Sequence, residues 1–214
     1  MDQGRSSADP GACPELELES AGPEVTERLG AGLGARLGPG AVLALAGDLG
    51  AGKTCLVRGL AEGLGSVDPV SSPTYTLAHE YAGRLTLYHL DAWMSAREAA
   101  FLAAGGEELL EAGGVCAIEW AGQVAEWLPR PRLELTLIHL TPTTRRLRAR
   151  RVLRAGEPDP AHEAAWDWLE AVASGATPLD PEGEGEDSRP ADRPDSKDPG
   201  SGVNPAGRNP LDRP

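Results

Sequence analysis

One octapeptide limits the possible folds of this chain more than any other feature. Gly47 to Thr54 reads G-D-L-G-A-G-K-T, which fits G-x-x-x-x-G-K-[ST], the phosphate-binding loop of nucleotide triphosphatases. Such a loop works only between a strand and a helix, and the flanks supply both. Ala41-Val42-Leu43-Ala44-Leu45-Ala46 is an unbroken apolar run of strand length, the pattern of a strand covered on both faces. From Thr54 to Leu64, the residues Leu56, Val57, Leu60, Ala61 and Leu64 form the apolar stripe of a helix packed on a sheet, and Gly65 supplies a stop.

The chemistry follows from the residue types. Glycines allow successive backbone N–H groups to turn inward around a phosphate chain, so Asp48, Leu49, Gly50, Ala51 and Gly52 are candidate nucleotide contacts, with Cys55 closing the set. Lys53 would place an ammonium on the β/γ-phosphate oxygens. The Thr54 hydroxyl would ligate Mg²⁺, and the helix would aim its positive end at the anion. Lysine usage points the same way. The basic residues are almost all arginine, and the only other lysine is Lys197. Lys53 therefore stands where a point charge differs from a planar fork.

Magnesium held by a loop threonine normally needs a carboxylate from a neighbouring strand end. Asp91 closes Leu85–Leu90 and Glu119 closes Val115–Ile118, and in an open α/β sheet such ends face the ligand crevice. His89, two residues before Asp91, would share its face on a strand. It reads either as a satisfied core histidine or as a group tuning the acid. Ser71-Ser72-Pro73-Thr74 lies where many nucleotide triphosphatases close a segment over the γ-phosphate.

The remaining pattern gives a mixed α/β sheet, with parallel strands near the loop and antiparallel hairpins added. Glu24–Leu37 and Ser95–Ala104 read as helices. Thr74–Tyr81 with Arg84–Leu90 reads as a hairpin through Ala82-Gly83, and Leu133–Leu140 with Arg145–Leu153 as a second one. Residues 1–15 form a loose leader and 16–153 the nucleotide-binding domain. Within 154–174, Asp159 and Pro160 would start a short appended helix with Trp166, Leu169 and Ala173 on one face. From 175 to 214 the chain is Pro, Gly and charge with almost no apolar residue, a composition expected to be disordered.

A formal net charge of −13 argues against a nonspecific nucleic-acid coat or an anionic-membrane binder. Cys13, Cys55 and Cys116 show no C-x-x-C spacing, so neither a disulfide framework nor a zinc site is expected. Without a signal-peptide pattern or a long apolar run, the expected compartment is the cytoplasm. Arg145, Arg146, Arg148, Arg150, Arg151 and Arg154 form the one dense basic stretch. It is either a solvated hairpin face or a surface for tRNA or an acidic partner.

Taken in order, GDLGAGKT at 47–54, SPTYTLAHEY at 72–81, HLD at 89–91 and IEW at 118–120 resemble the TsaE (YjeE) family, over about residues 16–153. These are the small P-loop ATPases of N6-threonylcarbamoyladenosine synthesis on tRNA. The resemblance implies ATP and Mg²⁺ as ligands, with phosphate and metal binding at Lys53 and Thr54. It puts Ser72 and Thr74 in a switch-like segment, makes Asp91 the second-strand acid, and has Glu119 assist Mg²⁺ or the attacking water. Trp120 would sit at the nucleotide, as would a late basic residue, Arg145 or Arg146. It also implies an ATP hydrolase that is weak alone and works with TsaD and TsaB, which place the threonylcarbamoyl group on adenosine 37 of ANN-decoding tRNAs. tRNA itself is then met through the complex.

The chain departs from the family pattern in two places: Cys55 replaces the second threonine of G-K-T-T, and Trp93-Met94 replaces the Tyr-Arg of H-x-D-x-Y-R, keeping the aromatic but losing the charge. A small-molecule kinase is the alternative expectation, although no arginine-bearing lid stands between residues 104 and 115. A nucleotide-binding adaptor without hydrolysis is a third.

Overall fold

The computed structural model describes residues 14–73, 78–93, 105–154 and 156–179. The apolar run before the glycine loop becomes β2 (Val42–Ala46), the middle strand of a seven-stranded sheet. It lies parallel to β5 (Val115–Glu119) and β6 (Arg132–His139), and β5 lies parallel to β4 (Leu87–Asp91). Antiparallel strands extend both sides: β3 (Ala78–Tyr81) on β4, then β7 (Arg145–Val152) on β6, with β1 (Glu15–Ser20) outermost on β7. This is the expected mixed sheet of a P-loop NTPase-like fold.

Alternation along β2 explains why the run is continuous. Leu43 and Leu45 enter one core with α1 (Pro23–Gly34), α2 (Lys53–Gly63) and the late helix, while Val42 and Ala44 enter a second core with Cys116, Ile118, Val124 and Leu128. Both faces are buried, so no polar position interrupts the strand. α1 and α2 pack backbone against backbone. A Cβ on Gly59 would stand 1.9 Å from the Glu27 carbonyl oxygen, and one on Gly30 would stand 2.2 Å from that of Leu56. Only hydrogen fits at either place.

Some boundaries differ from expectation. The first helix ends at Gly34, and the carbonyls of Gly34 and Leu37 are taken by the Arg84 guanidinium at 2.6 Å each. The same residue loosens the β3–β4 connection, because its N–H goes to the Leu64 carbonyl. Residues 82–86 therefore form a loop in place of the two-residue turn, and residues 74–77 of that hairpin lie outside the described residues, as does the helix expected at 95–104. A short helix, α3 (Gly106–Glu111), precedes β5.

The appended helix, α4 (Glu163–Ala173), begins three residues later than the Asp159–Pro160 reading. Asp159 does not cap it. Its carboxylate instead accepts from His162 Nδ1 at 2.6 Å and Arg151 Nε at 2.8 Å, and His162 Nε2 meets the backbone of Val42. Trp166 and Leu169 are buried, but Ala173 is exposed. Two limits also move by a few residues. Glu15 opens β1, and Leu179, reckoned above with the tail, packs on the core.

Candidate functional site

The parallel strands β2, β4, β5 and β6 all end on one side of the sheet, so their following loops converge. The antiparallel return of β6 into β7 brings Pro142, Thr143 and Arg145 to the same side. Because Ser20 of β1 lies opposite Arg145, it brings Gly22 and the start of α1 there as well. Between them is a cavity of about 510 Å³, lined by the glycine loop from Leu49 to Cys55 and by Thr26, Arg58, Ser72, Asp91, Glu119 and Trp120 among others.

The loop itself is shaped by backbone that side chains disfavour, with φ of 73° at Gly50 and 107° at Gly52. α2 starts at once, and Gly52 leaves its N-terminus without a side-chain cap. Its first N–H groups have no intrahelical carbonyl to donate to. Lys53 is buried; its Nζ donates to the carbonyls of Gly47 (2.9 Å) and Asp48 (3.0 Å) and lies 3.9 Å from the centroid of the Trp120 ring. Burial lowers its pKa from the ordinary lysine value, a fall limited by the carboxylates of Glu119, Asp91 and Asp48.

The two acids sit side by side as register partners, Asp91 on β4 and Glu119 on β5. They are not equivalent. Glu119 is on the strand next to β2, and its Oε1 accepts from the Thr54 hydroxyl at 2.7 Å and from His89 Nε2 at 2.9 Å. Burial would raise its pKa, but the hydrogen bonds from His89 and Thr54, with Lys53 nearby, leave it below the ordinary carboxylate value. Asp91 Oδ1 accepts the Trp93 N–H at 2.9 Å, turning the chain out of β4.

These groups fit a magnesium–nucleoside triphosphate. Among the described residues no cluster of three His, Cys, Asp or Glu side chains can hold a metal alone. One hydroxyl and two carboxylates beside a phosphate loop are what Mg²⁺ takes when phosphate oxygens and water complete its shell.

Of the residues singled out in the sequence, Leu49, Gly50, Ala51, Gly52, Lys53, Thr54, Cys55, Ser72, Asp91, Glu119, Trp120 and Arg145 line the cavity. Asp48 approaches it through the carbonyl bound by Lys53. Thr74 lies outside the described residues. Of the two late arginines, Arg145 lines the cavity and its Nε reaches the Ala51 carbonyl at 3.2 Å, while Arg146 turns to Glu17 and Glu19.

The rest of the basic stretch is met by carboxylates from neighbouring elements. Arg148 pairs with Glu15 and Glu17, Arg150 with Glu134, and Arg151 with Asp159. The Cys55 thiol donates to the Pro23 carbonyl, and burial pushes its pKa up to about 11.

Three contributions were not foreseen. Gly22, Pro23 and Thr26 form a wall of the cavity, visible only once β1 is seen to pair with β7. Arg58 follows Thr54 by one helical turn, a spacing that could have flagged it. Trp93 packs against Trp120 with ring centroids 4.2 Å apart and planes tilted by 51°.

Comparison with known proteins follows the same lines. Residues 20–148 match the family described as threonylcarbamoyl adenosine biosynthesis protein TsaE. The tRNA threonylcarbamoyladenosine biosynthesis protein TsaE of Treponema pallidum (strain Nichols) is 46% identical over 112 residues, covering 52% of this chain and 83% of that protein. Its namesake in Bacillus subtilis (strain 168) is 42% identical over 124 residues, covering 58% and 77%. The crystal structure of Bacillus subtilis YdiB superposes with a TM-score of 0.62 at 31% identity, over 75% of this chain and 97% of that one.

Proposed function

The chain belongs to the TsaE family, and from that membership we propose that it is a Mg²⁺-dependent ATP hydrolase serving N6-threonylcarbamoyl modification of adenosine 37 in tRNAs that read ANN codons. It acts as the nucleotide-dependent partner of TsaD and TsaB homologues in the cytoplasm, slow alone and faster in their company. It meets tRNA through that complex.

The observation that carries the reading is the 2.7 Å hydrogen bond between Thr54 of the glycine loop and Glu119 of the neighbouring strand, inside the cavity. Thr54, Asp91 and Glu119 would hold Mg²⁺, which supplies charge neutralisation at the β- and γ-phosphate oxygens. The uncapped start of α2 binds the phosphate chain. Lys53 leaves the Gly47 and Asp48 carbonyls to offset charge on the γ-phosphate as water attacks in line. Glu119, kept ionised by its hydrogen bonds, holds the Thr54 hydroxyl and stands ready to orient the water or take its proton. Arg145, tied to the loop at Ala51, supports it from the β7 side.

The test measures phosphate release from ATP by the full chain, alone and with TsaB and TsaD, beside a panel of metabolites as phosphate acceptors. Release that rises with both partners is the expected result. Phosphate appearing on a metabolite would replace this reading with a kinase.

A further inference from the structure

His89 is fully buried on β4 and makes one hydrogen bond, from Nε2 to Glu119 Oε1 at 2.9 Å, while its Nδ1 has no partner. A carboxylate only accepts, so Nε2 carries a proton, and Nδ1 is left buried without a hydrogen-bond partner among the described residues. A histidine kept for the core alone would have both nitrogens satisfied, because an orphaned polar atom destabilises the fold. This one directs its proton to Glu119, and Glu119 Oε1 in turn receives the Thr54 hydroxyl proton.

The order of donors sets a direction. A hydroxyl has one proton and two lone pairs. With the Thr54 proton committed to Glu119, its oxygen lone pairs are free for a cation. That commitment needs Glu119 to stay where it is. The nearby Lys53 ammonium attracts the same carboxylate, yet Lys53 donates to the Gly47 and Asp48 carbonyls instead.

We propose that His89 is a positioning residue: its Nε2–H anchors Glu119 away from Lys53, and so presents the Thr54 oxygen to Mg²⁺ and leaves Lys53 available to phosphate. The proposal rests on the nucleotide reading above and adds to it the group that sets the metal site's geometry.

Calorimetric titration of ATP into the full chain, with Mg²⁺ and with EDTA, tests it together with thermal melting. His89→Leu removes both the anchor and the unpartnered nitrogen. It should melt at or above the wild-type temperature, bind ATP in EDTA within a few-fold of wild type, and lose most of the affinity gain that Mg²⁺ brings. His89→Gln, whose side-chain amide offers a donor toward Glu119, should restore much of that gain. A merely structural histidine would give the opposite pattern, with lower stability and an intact Mg²⁺ gain.

A folded His89→Leu with the full Mg²⁺ gain overturns the proposal. If the leucine variant fails to fold, a His89→Gln variant that binds Mg²⁺–ATP no better than ATP in EDTA does the same. A wild-type chain that binds ATP in neither condition overturns the nucleotide reading itself, and the role given to His89 with it.

Discussion

The Lys53 ammonium stands 3.9 Å from the centroid of the Trp120 ring. Trp120 is the one described non-glycine residue with positive φ, at 58°, a conformation disfavoured for a bulky side chain. Its packing against Trp93 and its contact with a buried cation help hold it there. Lysine and indole thus keep each other in place.

Replacing Lys53 with alanine removes the charge that the phosphates would draw away from Trp120. ATP affinity should fall by on the order of 10² or more, the scale of losing one partner of a desolvated charge pair. Isothermal titration on the folded variant checks this, and unchanged affinity would remove the phosphate loop from the argument.

Glu119→Gln and Asp91→Asn should differ in kind. Glutamine keeps an oxygen able to accept from Thr54 and His89 but loses the charge. If Glu119 acts mainly on the reaction and not as a metal ligand, nucleotide binding should stay within a few-fold while hydrolysis with both partners falls by on the order of 10², the effect of losing a positioned base. Asp91→Asn should weaken Mg²⁺-dependent binding and turnover together. Wild-type turnover by Glu119→Gln would make Glu119 purely structural.

Gly59→Ala tests the packing that holds α2. The added methyl would stand 1.9 Å from the Glu27 carbonyl oxygen, a backbone atom with no room to move aside. Overpacking of this kind costs about 1–3 kcal/mol or more. Urea denaturation should show that loss, although alanine favours helix over glycine.

Glu134 gives a pH signature. Burial would raise its pKa, but hydrogen bonds from Arg150 and Arg132 bring it below the ordinary glutamate value. A depressed carboxylate stabilises the fold above its unfolded pKa and loses that contribution as pH falls through the folded value. Glu134→Gln should therefore be less stable than wild type at pH 7, with the gap closing as the medium is acidified below pH ~4.5. Chemical denaturation across pH measures it, and a gap independent of pH contradicts the ion-pair account.

The strand–loop–helix unit was legible in the sequence because its signals are contiguous: an apolar run, glycines where φ is positive, and a stripe at helical spacing. The site acids were legible as strand ends. What eluded the sequence depends on pairing between distant segments. The Leu16–Glu19 alternation has strand period, but its meaning lies in arginines on β7, across the register that sets Glu17 opposite Arg148. His89 shows the same limit. Periodicity placed it on the face of Asp91, yet its partner came from the next strand, where Glu119 stands opposite Asp91. The β3–β4 connection was read too short because Arg84, which opens it, is held by distant groups: its N–H by the Leu64 carbonyl and its guanidinium by the carbonyls of Gly34 and Leu37.

The place of β2 at the middle of the sheet has a consequence for biosynthesis. The glycine loop leaves the ribosome early, but both neighbours of its strand, β5 and β6, are made much later, and β1 waits for β7. Until then a nascent chain carries the loop without the strand that brings Glu119 to Thr54 and without Arg145. Such long-range pairing also slows folding. A ligand gripped only by the finished sheet favours the finished sheet, so on the nucleotide reading proposed above the cell's own nucleotide pool would act as a late selector of correctly completed chains.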